Sequence, residues 1–217
     1  MYKKSVKKYV LMVAALLLVC VVSVTGTLAY LSAKTNAVTN TFVIGDLVDK
    51  TSGKFEIREH AATYTENGVY TLDESSEVTE NLYNAILPGV DVPKDPFVRI
   101  TDLQVDAYLF IEVVGLDTLP DGLSGTVDNT VWEATDLPGK QTGGKVYRYV
   151  GNGTEPKAGV ITATATRNDY EINVLSGEKI IVAPTYAASG TATISFYGYL
   201  IQAAGIADSV TAWGQIQ

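Results

Sequence analysis

The chain has one cysteine, one histidine, two methionines, two tryptophans and seven prolines in 217 residues, and only 18% of its residues are charged. A single histidine and a single cysteine are too few for an ordinary zinc site, and neither H-E-x-x-H nor G-x-S-x-G occurs. The low charge content, beside 47% hydrophobic residues, excludes a disordered chain or a coiled coil. Basic charge is scarce where it would matter for nucleic acid. Of the 16 lysines and arginines, Lys3, Lys4, Lys7 and Lys8 lie at the start, so residues 30–217 hold 12 basic against 24 acidic side chains. A net charge near −12 offers no phosphate-binding groove, so no nucleic-acid partner is expected.

What is present begins with an export signal. The basic start is followed by an unbroken apolar run of 14 residues, Tyr9 to Val22, and then by small and polar residues up to Ala29. Cleavage between Ala29 and Tyr30 puts Thr27 at the −3 position. The competing reading is a retained anchor, since Tyr9 to Leu28 gives the ~20 apolar residues that a spanning helix needs; Thr25, Gly26 and Thr27 count against it. Cys20 lies inside the apolar run with Val19 before it, which is not a lipid-attachment pattern. The cleaved chain then has no cysteine and depends on its core alone, as ~190 residues can. Contact with the membrane is expected only before cleavage.

From residue 30 onward the pattern has period two. Tyr170, Ile172 and Val174 alternate with Glu171 and Asn173; Ile180 and Val182 alternate with Lys179 behind the turn-like Ser176-Gly177; Phe196, Gly198 and Leu200 alternate with Tyr197 and Tyr199. Leu109, Ile111 and Val113, with Tyr108 and Phe110 between them, form a run apolar on both faces and predict a central strand. Turn clusters at Leu87-Pro88-Gly89, Leu119-Pro120-Asp121-Gly122, Leu137-Pro138-Gly139 and Gly151-Asn152-Gly153 separate the strands. The expectation is one all-β domain over 30–217: a jelly-roll-like β-sandwich of about eight to ten strands. A short helix closes it, suggested by Ile206, Val210 and Trp213 at i, i+4 and i+7. The acidic stretch 61–82 reads as an exposed insertion.

Candidate chemistry is sparse. His60, in Arg58-Glu59-His60, reads as a solvated strand-end histidine. A carboxylate pair is open to any chain with 24 acidic residues. Calcium is the one metal with ligands in supply, from Asp121, Asp128, Asp136 and the Asp73/Glu74/Glu77 group, yet no D-x-D-x-D-G loop organises them; no cofactor is expected. Asn152-Gly153-Thr154 fits a glycosylation acceptor or a hairpin turn. Tyr108, Tyr147, Tyr149, Tyr197 and Tyr199 suit packing better than a binding platform.

Three segments, in order, resemble the TasA/camelysin group of exported matrix-fibre proteins of Gram-positive bacteria. The first is Gly26–Ser32 at the cleavage junction, with Phe42, Gly45 and Leu47 in the T-F-x-x-G-x-L pattern behind it. The second is Leu87-Pro88-Gly89 followed by Lys94-Asp95. The third is Tyr199–Gly205, with Gln202, closing on Ala212-Trp213. The resemblance implies cleavage by a SipW-type signal peptidase, a jelly-roll-like sandwich, and polymerisation by donor-strand exchange in the extracellular or biofilm matrix or at the cell surface. Partners would be further copies of the chain or other matrix proteins. The donor would be the segment 30–40, expected to be flexible, with Tyr30, Leu31 and Val38 as candidate strand and pocket residues. Some relatives are described as metalloproteases, but no zinc motif is present to carry that activity over. A surface adhesion or carbohydrate-binding module, using loops in 115–145, is the alternative.

Overall fold

The computed structural model describes residues 32–35, 42–44, 47, 54–151, 159–164, 168–187 and 191–216, with 32–35 and 42–44 described as backbone only. Its strands are β1 (Ser32–Thr35), β2 (Phe42–Ile44), β3 (Lys54–Tyr64), β4 (Tyr70–Val78), β5 (Val92–Pro93), β6 (Phe97–Thr101), β7 (Ala107–Val114), β8 (Leu123–Ser124), β9 (Trp132–Pro138), β10 (Gly144–Tyr149), β11 (Val160–Ile161), β12 (Tyr170–Asn173), β13 (Lys179–Val182) and β14 (Ser195–Gln202); one helix, α1 (Ser209–Gln215), follows. The strands outnumber the eight to ten expected because β5, β8 and β11 are two-residue pairings and β1 forms where no strand was expected. Segments so short leave no periodic pattern to read.

The protein is an all-β sandwich. A seven-stranded sheet runs β2-β1-β14-β7-β10-β9, with β11 also on β7; a four-stranded sheet runs β12-β6-β3-β4; and β5-β13-β8 form a small third sheet. All the strand pairs are antiparallel. Alternation sets the core. Phe55 and Ile57 of β3, Val98 and Ile100 of β6, and Ile172 of β12 meet Leu109, Ile111 and Val113 of β7 and Phe196 and Leu200 of β14 in one apolar cluster. At about 25 cal/mol per Å² of apolar surface, this layer is the main stabilising term of a chain without disulfides in its folded part.

The central strand β7 is buried on both faces, as its double apolar pattern predicts. Its second face is covered by α1. Trp213 stacks edge-on against Phe110, at 5.2 Å between ring centroids, and against Tyr199 at 4.9 Å. Asp208 caps this helix by accepting from the Thr211 N–H at 2.8 Å. The expected stripe needs correction: Ile206 precedes the helix, Val210 is 63% exposed, and the buried side chains are Ser209, Ala212 and Trp213. The helix begins three residues later than the apolar spacing suggests, and the cap sets its phase.

Two further expectations change. Residues 61–82 are no separate insertion: they hold the end of β3 and all of β4, an antiparallel hairpin arm with a largely exposed outer strand. The arm reads as loop because both its faces meet solvent. Ser32–Thr35 is a strand although the segment 30–40 has no apolar alternation; pairing with β14 and β2 supplies its order. Among the described residues no helix is long and apolar enough to cross a membrane.

Candidate functional site

Two features stand out: the sheet edge that carries β1, and a charged seat at the end of the four-stranded sheet.

The strand β14 pairs with β7 along its whole length, Ser195 to Gln202. On its other side it takes β1 over only four positions, Ser32↔Ile201 to Thr35↔Gly198. The strand β1 in turn holds β2 through three positions, Ser32↔Ile44 to Lys34↔Phe42. The outer part of the seven-stranded sheet is therefore a short antiparallel pair from the start of the chain, laid on a long and firmly held strand. Backbone bonds of this kind do not depend on which chain supplies the strand.

The charged seat follows from strand phase. In β3 the inner positions run Phe55, Ile57, Glu59, so alternation delivers a carboxylate to the core side, where Glu59 is 6% exposed. Lys94, between Pro93 and Pro96, answers it: its Nζ lies 2.7 Å from Glu59 Oε2. The same Nζ lies 5.7 Å from the ring centroids of Tyr83 and of Phe196 on β14, so Lys94 spans the two main sheets. Burial beside Glu59 and Asp95 raises the Tyr83 hydroxyl well above its ordinary pKa, desolvation being the larger cause. Tyr83 donates instead to the Pro93 carbonyl at 2.7 Å.

The outer face of β3 carries His60, which is not the solvated histidine expected. Its side chain is 19% exposed, and Nδ1 lies 2.6 Å from Asp95 Oδ2. That bond raises the imidazole above its usual value; partial burial opposes the rise, and the fields of Asp95, Glu77 and Glu171 add to it. The sequence gives no warning, because Asp95 is 35 residues away. Beside it, Arg99 bonds Glu77 at 2.5 and 2.8 Å and Glu171 at 2.7 Å, linking β6 to β4 and β12. Arg99 holds the Glu77 carboxyl below its ordinary range. No hydroxyl bonds the second ring nitrogen of His60 among the described residues, and no three His, Cys, Asp or Glu side chains there are grouped to hold a metal.

The chain matches no protein-family model, no curated protein and no solved structure.

Of the residues singled out from sequence, Ala29, Tyr30, Leu31, Val38 and Gly45 lie outside the described residues, as does Asn152-Gly153-Thr154. Phe42 opens β2. Leu47 is fully buried, and its carbonyl accepts from the Gln104 N–H at 2.9 Å. Pro88 and Gly89 form an exposed turn; Gly89 has φ 77° and donates its N–H to Ala183 at 3.2 Å. Gln202 ends β14 opposite Ala107, and Trp213 is the plug on β7. Among the calcium candidates, Asp73 binds Ser75 and Asp128 binds Thr130, each closing its own turn. Tyr108, Tyr147, Tyr149 and Tyr199 are buried packing residues.

Glu59, Lys94 and Asp95, named above only as parts of motifs, and Glu112, not singled out above, are all buried. Glu112 sits inside the apolar run of β7, with Oε2 accepting from Tyr199 Oη at 2.7 Å and Oε1 from the Gln141 N–H at 2.8 Å. A signal was available for each: Glu59 in the inner phase of an apolar strand, Lys94-Asp95 inside a proline frame, and Glu112 alone among apolar neighbours.

Proposed function

We propose that this chain is an exported structural subunit of the extracellular matrix or cell surface that polymerises by exchanging its first strand between copies. The observation that carries the reading is the place of β1: the first described strand of the chain lies on β14 through four backbone positions, while β14 stays paired to β7 along eight. Withdrawing β1 leaves the acceptor strand intact and opens a row of unpaired N–H and C=O groups. The same segment of another copy satisfies them with the same bonds, so exchange is close to neutral in hydrogen bonding, and the gain comes from what the donated strand buries in its new place. Because the donor and the acceptor are different surfaces, the contact is head-to-tail and need not close.

The basic-apolar leader and the resemblance to the TasA/camelysin group support the same reading. A SipW-type peptidase would free the donor by cutting between Ala29 and Tyr30. Negative-stain electron microscopy of chain 30–217 beside chain 41–217, at several concentrations, tests it. Filaments from the first and none from the second are expected, with a synthetic 30–40 peptide blocking growth. If 30–217 stays monomeric at every concentration, or if 41–217 makes the same filaments, the reading fails.

A further inference from the structure

The longest open edge of the described fold is not at the β2–β1 end of the large sheet but at β4. This strand spans nine residues, Tyr70–Val78, is the outermost member of the four-stranded sheet, and takes no strand on its far side among the described residues. An edge of that length is a template on which further copies could add, at a place unrelated to the donor strand. The edge is not plain, however. The pairing steps from His60↔Glu77 directly to Ala61↔Asp73, so Glu74, Ser75 and Ser76 are extra residues on β4 with no partner on β3. The bulge is held in shape locally: Asp73 Oδ1 accepts from the Ser75 N–H at 3.0 Å and from its Oγ at 2.6 Å. Asp73 and Glu74 point their charge to solvent at the middle of the strand, and Glu77 behind them is clamped by Arg99.

The inner side of β3 is guarded differently. Where β6 ends, Asp95 takes the His60 N–H, and the Asn81 side chain donates to the His60 carbonyl and accepts from the Ala62 N–H, both at 2.7 Å. Side chains thus complete the β3 ladder on that side, and β4 is left as the exposed edge of the hairpin arm.

We propose that the acidic bulge of β4 is a guard that refuses a second copy of the chain, so that strand addition is confined to the β1–β14 edge and growth is one-dimensional. A straight incoming strand cannot keep register across three extra residues. Two β4 edges laid antiparallel also set Asp73 and Glu74 against their own copies, and like charges across a pair are destabilising. The confinement to a filament rests on the donor-strand reading; the blocked edge does not.

The test compares chain 30–217 with two variants: one with Glu74–Ser76 deleted and Asp73→Thr added, and one with Asp73→Asn and Glu74→Gln only. Sedimentation velocity and electron microscopy read the concentration at which association begins and the width of what forms. The straightened variant should associate side by side at a threshold lower by roughly tenfold, and the charge variant should shift the same way by less. The charge variant alters only exposed side chains, so it decides the matter if the deletion does not fold. Thresholds and widths unchanged from the parent overturn the guard. A parent that makes no filaments beside a straightened variant that associates upholds the guard and removes the donor-strand reading; parent filaments that both variants reproduce unchanged do the reverse.

Discussion

Asp95 holds His60 twice: Oδ1 accepts from its backbone N–H at 3.1 Å, and Oδ2 lies 2.6 Å from Nδ1 of its ring. One carboxylate thereby replaces the neighbouring strand where β6 ends and fixes the imidazole against Phe97, at 5.4 Å between ring centroids.

The pairing has a pH signature. His60 has a folded pKa above the ordinary histidine value, with the Asp95 bond as the largest cause. Its contribution to stability is therefore fully present below about pH 6.5 and is lost as pH rises through the higher folded value. Urea midpoints should fall between about pH 6 and pH 9, and a His60→Gln variant should flatten that slope. An identical slope in the variant would remove the assignment.

Breaking the buried Lys94–Glu59 pair from one side strands the other charge. Lys94→Met alone should cost about 3–5 kcal/mol in denaturant unfolding, whereas Lys94→Met with Glu59→Leu should recover most of it. A double variant as weak as the single one would show that the lysine acts through its packing on Tyr83 and Phe196 instead.

A Cβ on Gly144 would lie 1.8 Å from Glu112 Oε1. Gly144→Ala must displace the carboxylate that Tyr199 and Gln141 hold, with an expected loss of about 1–3 kcal/mol. In a Glu112→Ala background the same change should cost much less, which a double-mutant cycle measures.

Trp213→Ala removes the plug over Phe110 and Tyr199. A loss of about 3–5 kcal/mol is expected for so large a buried side chain. Loss of near-ultraviolet dichroism without loss of strand signal would place the damage in the helix-covered face; a cost below about 1 kcal/mol would show that the helix is dispensable to the sheet.

Glu178 has φ 54° without being glycine. Glu178→Gly relieves a left-handed conformation that costs an L residue ~1–2 kcal/mol, but it also gives up the Asn173 bond to the Glu178 side chain and adds unfolded-state entropy. These opposing terms are of similar size, so a thermal midpoint close to the parent's is expected; a clear drop would mean that the side-chain bond and the entropy outweigh the strain.

How much of this could be read from the residues follows their range of action. Strand phase is local, so β7, β12, β13 and β14 were legible from alternation, and the apolar faces on both sides of β7 gave its central place. Exposure of the β3–β4 arm was legible as well, though its pairing was not, since a strand wet on both faces has the composition of a loop. The helix was legible in kind and misplaced in phase, because Ile206 falls before the Asp208 cap and Val210, at the right spacing, turns to solvent.

The sequence alone determined the class: two-residue periodicity and regular turns leave an all-β chain. Only the tertiary structure decided the partners. Asp95 meets His60, Lys94 meets Glu59, Tyr199 meets Glu112 and β1 meets β14 across 35 to 169 residues of chain. The physical reason is that alternation states which face a side chain takes, while what stands opposite that face depends on strand order, and long-range strand order leaves no mark in local spacing.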